Sequence, residues 1–212
     1  MFATTDLAAG HSIDYYASGT YPGRPHQERV FFDRNATGAI RDRFIAAQNQ
    51  WDNITSRFQF VIYRDELDTD APRRCAADQP RKFDERASLI GYQYLDGRGG
   101  HIADTGTCSR ASDGRLEYFN TIVDTADDIY FGRGDAPDET ADMGSIAVHE
   151  LGHAAGWVYH YDDPEARDAA NESMCRDHDG QPTMCAHLYP GTERWRNLDD
   201  HDQHTHADAY NR

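Results

Sequence analysis

His149, Glu150 and His153 stand in the stretch "HELGH", whose residue types and spacing suit a metal. On a helix, two histidines four apart differ by about 40° around the axis and by one turn along it, so both imidazoles leave the same side. One zinc ion can bind both, at about 2.0–2.1 Å from each nitrogen. Glu150 sits beside the first histidine, where a carboxylate can take a proton from a zinc-activated water and so act as general base. With 11 histidines and 9 glutamates among 212 residues, random placement gives this pattern in roughly one chain in 40. Gly156, seven residues after His149, lowers that to about one in 500, because only 17 residues are glycine. The competing reading, a buried helix whose histidines make ordinary hydrogen bonds, is the weaker one.

These residues need a helix, and the helix needs a frame. Asp142 is a suitable N-cap for a helix running from Met143 through the motif, and Gly156 falls where that helix should stop. Upstream, "ERVFFDRN" reads as a short strand. The stretch after it, "TGAIRDRFIAAQNQWDNITSRF", carries Ile40, Phe44, Ala47, Trp51 and Ile54 at helical spacing, with polar residues opposite. "FQFVIYRD", "ASLIGYQYL" and "FNTIVDT" are β-branched and aromatic runs typical of strands, and "GGHIADTGT" is a weaker, Gly-flanked candidate. "ADDIYFGRGDAPDETAD" reads as an acidic loop, and a short polar helix is expected from Asp199 to Tyr210. No repeat or low-complexity linker interrupts the chain, so residues 1–212 are expected to form a single catalytic domain.

The charge balance narrows the partners. The net charge is -16, from 28 Asp and 9 Glu against 20 Arg and one Lys. Such a surface repels nucleic acid and anionic lipid, so neither is an expected partner, and no apolar run is long enough to span a membrane. A monomer is the expected state. The opening residues "MFATTDLAAG" lack the basic and apolar regions of a signal peptide. The secreted reading therefore rests on Cys75, Cys108, Cys175 and Cys185, an even number in loop-like stretches, which suggests two disulfides and an oxidising compartment. Of the three possible connectivities, Cys75–Cys108 with Cys175–Cys185 is the expected one. A cysteine zinc site is disfavoured because there is no CxxC pair.

The motif His149-Glu150-x-x-His153-x-x-Gly156 resembles that of the metzincin zinc peptidases, nearest to small matrixin-like and snapalysin-like bacterial enzymes. The likeness extends over about Glu28 to Tyr210. "IRDRFIAAQNQWDNITSRFQFV" looks like the first helix and strand of that family, "FNTIVDT" like the strand before the active-site helix, and "RNLDDHDQHTHADAY" like the closing helix. "PTMCAHLYPGT" looks like the turn whose methionine lies beneath the metal, which makes Met184 the match. The fold implied is α+β and zincin-like: a twisted, mostly parallel mixed sheet with a backing helix, an active-site helix and a C-terminal helix.

The family pattern puts the third ligand at position 159, but Tyr159 is a poor neutral ligand. His160 comes one residue later, after the helix should have ended, and is the favoured third ligand; Asp162 and Asp163 compete with it. The resemblance implies a zinc-dependent endopeptidase acting on protein or peptide substrates. An extended substrate would pair with an edge strand, for which "GGHIADTGT" is the candidate. Tyr159 and Tyr189 are candidate pocket residues. For the acidic loop from Asp124 to Asp142 and for "RDHDG" a solvated loop is the expected state, with a structural Ca2+, as relatives often bind, as the alternative. His201, His204 and His206 do not share one helical face, so a solvated helix is expected there rather than a second metal site. The rival function is a catalytically inactive zinc-binding protein of the same fold, serving as a binding module.

Overall fold

The computed structural model describes residues 26–67, 88–93, 102–109, 116–125, 129–132, 140–156, 183–185 and 196–211. Within them the chain is a mixed α/β arrangement with a mostly parallel sheet and three helices. In chain order these are β1 (His26–Asp33), α1 (Gly38–Asp52), β2 (Phe58–Leu67), β3 (Ser88–Gln93), β4 (Ala103–Ser109) and β5 (Leu116–Asp124). After them come β6 (Ile129–Tyr130), β7 (Ala141–Asp142), α2 (Met143–Ala154) and α3 (Asp200–Asn211). No helix among the described residues is long and apolar enough to cross a membrane.

The strand order in the main sheet is β2-β1-β3-β5-β4. Every pairing is parallel except β4 with β5, so the weakest sequence candidate becomes an antiparallel edge strand. The β1–α1–β2 unit joins two parallel neighbours through a helix, as parallel pairing requires. Its entry is built locally. The Asp33 carboxylate accepts from Asn35 N–H and Ala36 N–H, and Thr37 caps α1 by accepting from Ile40 N–H.

Period-two alternation turns Val30, Phe32, Phe58, Phe60, Ile90, Phe119 and Val123 into one buried face. Against it lies the apolar stripe of α1, with Ile40, Phe44, Ala47 and Trp51 buried as the spacing predicts. In α2 all twelve residues are buried, which a stripe reading does not predict; the helix packs against α1 and the β4–β5 end of the sheet, with Thr183 and Met184 also against it. Trp51 links three elements. Its indole N–H donates to Val148 C=O of α2 at 2.9 Å, and its ring meets the His206 ring of α3 edge-on at 5.1 Å.

Two sequence expectations need correction. The acidic stretch between β5 and α2 is not wholly a loop, because its ends pair in parallel as β6 and β7 beside the start of α2. The closing helix is polar in composition but not solvated. Asp202, Thr205, His206 and Tyr210 are buried, and His206 sits among Trp51, Phe58 and Tyr210. His204 alone of the three histidines is exposed.

Candidate active site

The site begins with how α2 is held. Asp142 accepts from Ser145 N–H at 2.7 Å, the N-cap expected from sequence. The same carboxylate is paired with Arg196, at 2.9 Å to Nε and 2.5 Å to Nη2, just ahead of α3. Gln50 of α1 clamps that segment from the other side, donating to Arg196 C=O and accepting from Leu198 N–H. At the far end Gly156 has φ 114°, a left-handed value that L side chains rarely adopt. Tyr210 O–H donates to Ala155 C=O at 2.6 Å, satisfying one of the carbonyls a helix end leaves without a partner.

Between these ends the one-turn spacing brings His149 and His153 together. Their Nε2 atoms are 3.2 Å apart and their rings cross at 81°. His149 Nδ1 lies 2.7 Å from Thr183 C=O, an acceptor only, so Nδ1 carries the proton and Nε2 presents a lone pair. Both histidines are buried, at 9% exposure each. Two ligands on a tetrahedral zinc stand about 3.3 Å apart, given N–Zn distances of about 2.0–2.1 Å. The pair therefore fits a zinc ion in spacing, and His149 fits it in tautomer.

Thr183, Met184 and Cys185 form a buried turn beneath this pair. Met184 is fully buried, and its sulfur lies 2.2 Å from where a Cβ on Gly152 would stand. Gly152 is therefore what allows the turn to approach α2 so closely. Asp202 of α3 holds the turn by accepting from Thr183 N–H at 2.7 Å. Burial pushes the Asp202 carboxyl up to about 7, against the lowering effect of its Thr183 hydrogen bonds. Cys185 is a disulfide cysteine; Cys75 and Cys175 and the side chain of Cys108 fall outside the described residues.

Glu150 points to the sheet. Its Oε2 accepts from the Thr105 hydroxyl of β4 at 2.5 Å, and Thr105 in turn meets the Thr121 hydroxyl of β5 at 2.7 Å. Burial pushes the Glu150 carboxyl up to about 8; the Thr105 hydrogen bond opposes this and the charge of Asp104 adds to it.

The structure thus brings together His149, Glu150, His153 and Met184, with Gly156 at the helix end. His160, Asp162, Asp163, Tyr159 and Tyr189 lie outside the described residues, as does "RDHDG". Among the described residues no set of three metal-binding side chains gathers. Sequence reading missed Thr105, Thr121, Thr183, Asp202 and Arg196. Each acts across a long sequence gap, and only the position of Asp202, eighteen residues after Met184 in a helix, is the kind of signal a pattern could have carried.

No family model matches the chain, and no curated protein matches it. Two solved structures of myroilysin are similar to it. One is 15% identical with a TM-score of 0.43, covering 91% of this chain and 86% of that one. The other is 14% identical with a TM-score of 0.42, covering 91% and 96%. At that distance neither carries an argument about chemistry, which rests on the residues themselves.

Proposed function

We propose that the protein is a zinc-dependent, metzincin-like endopeptidase, secreted and acting on protein or peptide chains. The observation that carries this reading is the convergence of His149 Nε2 and His153 Nε2 at 3.2 Å next to Glu150, whose carboxylate is bonded to β4, the edge strand among the described residues. His149 and His153 would hold the zinc, with His160 as the expected third ligand. When bound, zinc would lower the pKa of a coordinated water and polarise the scissile carbonyl.

The remaining steps belong to the chain. The described outer edge of β4 offers its backbone to an extended substrate, in the manner of strand addition. Thr183 C=O keeps His149 in the tautomer that ligates. Glu150 accepts a proton from the attacking water and delivers it to the leaving amine. A dication nearby would draw the Glu150 pKa down from its buried value, so that the carboxylate is ionised and ready at neutral pH. A site that served structure alone would have no use for a carboxylate held in this way, which favours the enzyme over the binding module.

The test is cleavage of a mixed peptide library by the zinc-loaded protein beside Glu150→Gln. The expected result is cleavage by the natural chain and a loss of about 10³-fold or more in the variant, with zinc content unchanged. Absence of cleavage by the natural chain at full zinc occupancy would overturn the reading in favour of a zinc-dependent binding protein.

A further inference from the structure

The edge strand and the catalytic helix are joined by a side-chain hydrogen bond from Thr105 to Glu150. Thr105 is paired directly opposite Thr121 in the antiparallel β4–β5 ladder, and both side chains face α2. A threonine hydroxyl has a single proton to donate. Thr105 Oγ1 donates to Glu150 Oε2 at 2.5 Å, so across the 2.7 Å contact Thr121 is the donor. The direction is fixed: Thr121 to Thr105 to Glu150. Chained donors of this kind polarise one another, which strengthens the last bond.

The consequence is a division of the carboxylate. Oε2 is occupied by Thr105, while Oε1 has no hydrogen-bond partner among the described residues. Glu150 is only 5% exposed and Thr121 is fully buried, so neither can be re-solvated by a small movement. Without the hydroxyl, the Glu150 side chain would have to find another acceptor geometry in a confined space. With it, one oxygen is anchored to the strand and the other is left to accept the proton. Oε2 stays an acceptor after Oε1 is protonated, so the anchor persists through the reaction.

We propose that the Thr121–Thr105 pair is a positioning device that clamps Glu150 Oε2 and assigns proton transfer to Oε1. The inference rests on the peptidase reading, and it adds that the strand offered to the substrate also sets the base. Thr105 and Thr121 are positioning residues, since they act through Glu150.

The experiment compares zinc-loaded natural protein with Thr105→Val, Thr105→Ser and Thr121→Val. Valine keeps the shape and removes the hydroxyl, and serine keeps the hydroxyl. Displacing a reacting group by about 1 Å costs up to about 10²-fold. Thr105→Val is therefore expected to lower kcat about 10- to 100-fold with KM changed less than about twofold. Thr105→Ser is expected to stay within about threefold of the natural rate, and Thr121→Val to lose about three- to tenfold. Zinc affinity, measured against a competing chelator, is expected to be unchanged in all three. Crystal structures of the zinc-loaded proteins give a reading independent of turnover: the Glu150 carboxylate should leave its position in Thr105→Val and keep it in Thr105→Ser. A natural kcat in Thr105→Val, an equal loss in Thr105→Ser, or an unmoved Glu150 in Thr105→Val would each overturn the clamp. If the natural protein cleaves nothing, the peptidase reading fails instead, and the crystallographic comparison still decides whether the hydroxyl holds Glu150.

Discussion

Gly152 is where Met184 packs directly against α2, and the contact leaves no room for a side chain at position 152 unless a neighbour shifts. A Cβ at position 152 would stand 2.2 Å from Met184 Sδ and 3.0 Å from Trp51 Cζ2. Thioether chains can shift, but the Trp51 ring is pinned by its bond to Val148 C=O. Gly152→Ala is therefore expected to destabilise the protein by about 1–3 kcal/mol, seen as a lower urea midpoint. Truncating Met184 to Ala as well removes the obstacle. The double variant should lose less than the sum of the two single losses, and strict additivity would count against the contact. Gly156 makes a different demand, one of backbone rather than space. At φ 114°, an alanine pays about 1–2 kcal/mol for the left-handed region. Thermal unfolding of Gly156→Ala checks this, and an unchanged Tm would show that the helix can end in another way.

At the level of elements, α2 is fixed by its two ends as well as by its buried faces. Asp142 is fully buried, caps the helix and neutralises Arg196, which is 15% exposed. Removing one member of such a pair strands the other, a loss of about 3–5 kcal/mol. Asp142→Ala is expected to fall in that range by urea unfolding. Asp142→Asn keeps a cap but not the charge and should lie between it and the natural protein; equal losses would mean that the charge alone matters. This explains what could be read from the chain itself. Strands and helices with regular apolar spacing, such as Ile40, Phe44, Ala47 and Trp51, announce themselves, and so does a capping Asp followed by a buried run. The pairing of His149 with His153 is also local, since one helical turn makes it. The Asp142–Arg196 pair spans 54 residues, and the Thr105–Glu150 bond spans 45. Contacts made by topology leave no periodic trace. The helix α3 was misread for a related reason: it buries Asp202, Thr205 and His206, so its composition suggests solvent where its packing excludes it.

Over the whole molecule, that packing gives an acid-to-neutral stability profile in which two buried groups on α3 oppose each other. Burial pushes the Asp202 carboxyl up to about 7 from an ordinary 3.8. Between those values the folded protein holds a proton that the unfolded chain has released, so stability falls as pH rises from about 4 to 7. Burial pushes His206 down to about 3 from 6.5, and its nearest rings, from Trp51, Phe58 and Tyr210, carry no charge to offset this. Between about 3 and 6.5 the unfolded chain binds a proton that the folded one refuses, so here stability rises with pH. Each group contributes a slope of at most about 1.4 kcal/mol per pH unit, and the signs are opposite. From about pH 4 to 6.5 the two largely cancel. The many surface carboxylates behind the net charge of -16 add a background common to all variants, so differences between variants isolate the pair. Asp202→Asn removes the falling slope and should make stability climb more steeply than in the natural protein over pH 4–6.5. His206→Phe removes the rising slope and should make stability decline from pH 4 to 7. Urea unfolding at half-unit pH steps reads both. Parallel profiles for the natural protein and the two variants would show that Asp202 and His206 change protonation alike in the folded and unfolded chains, and α3 would then be wetter at the Thr183–Cys185 turn than its packing implies.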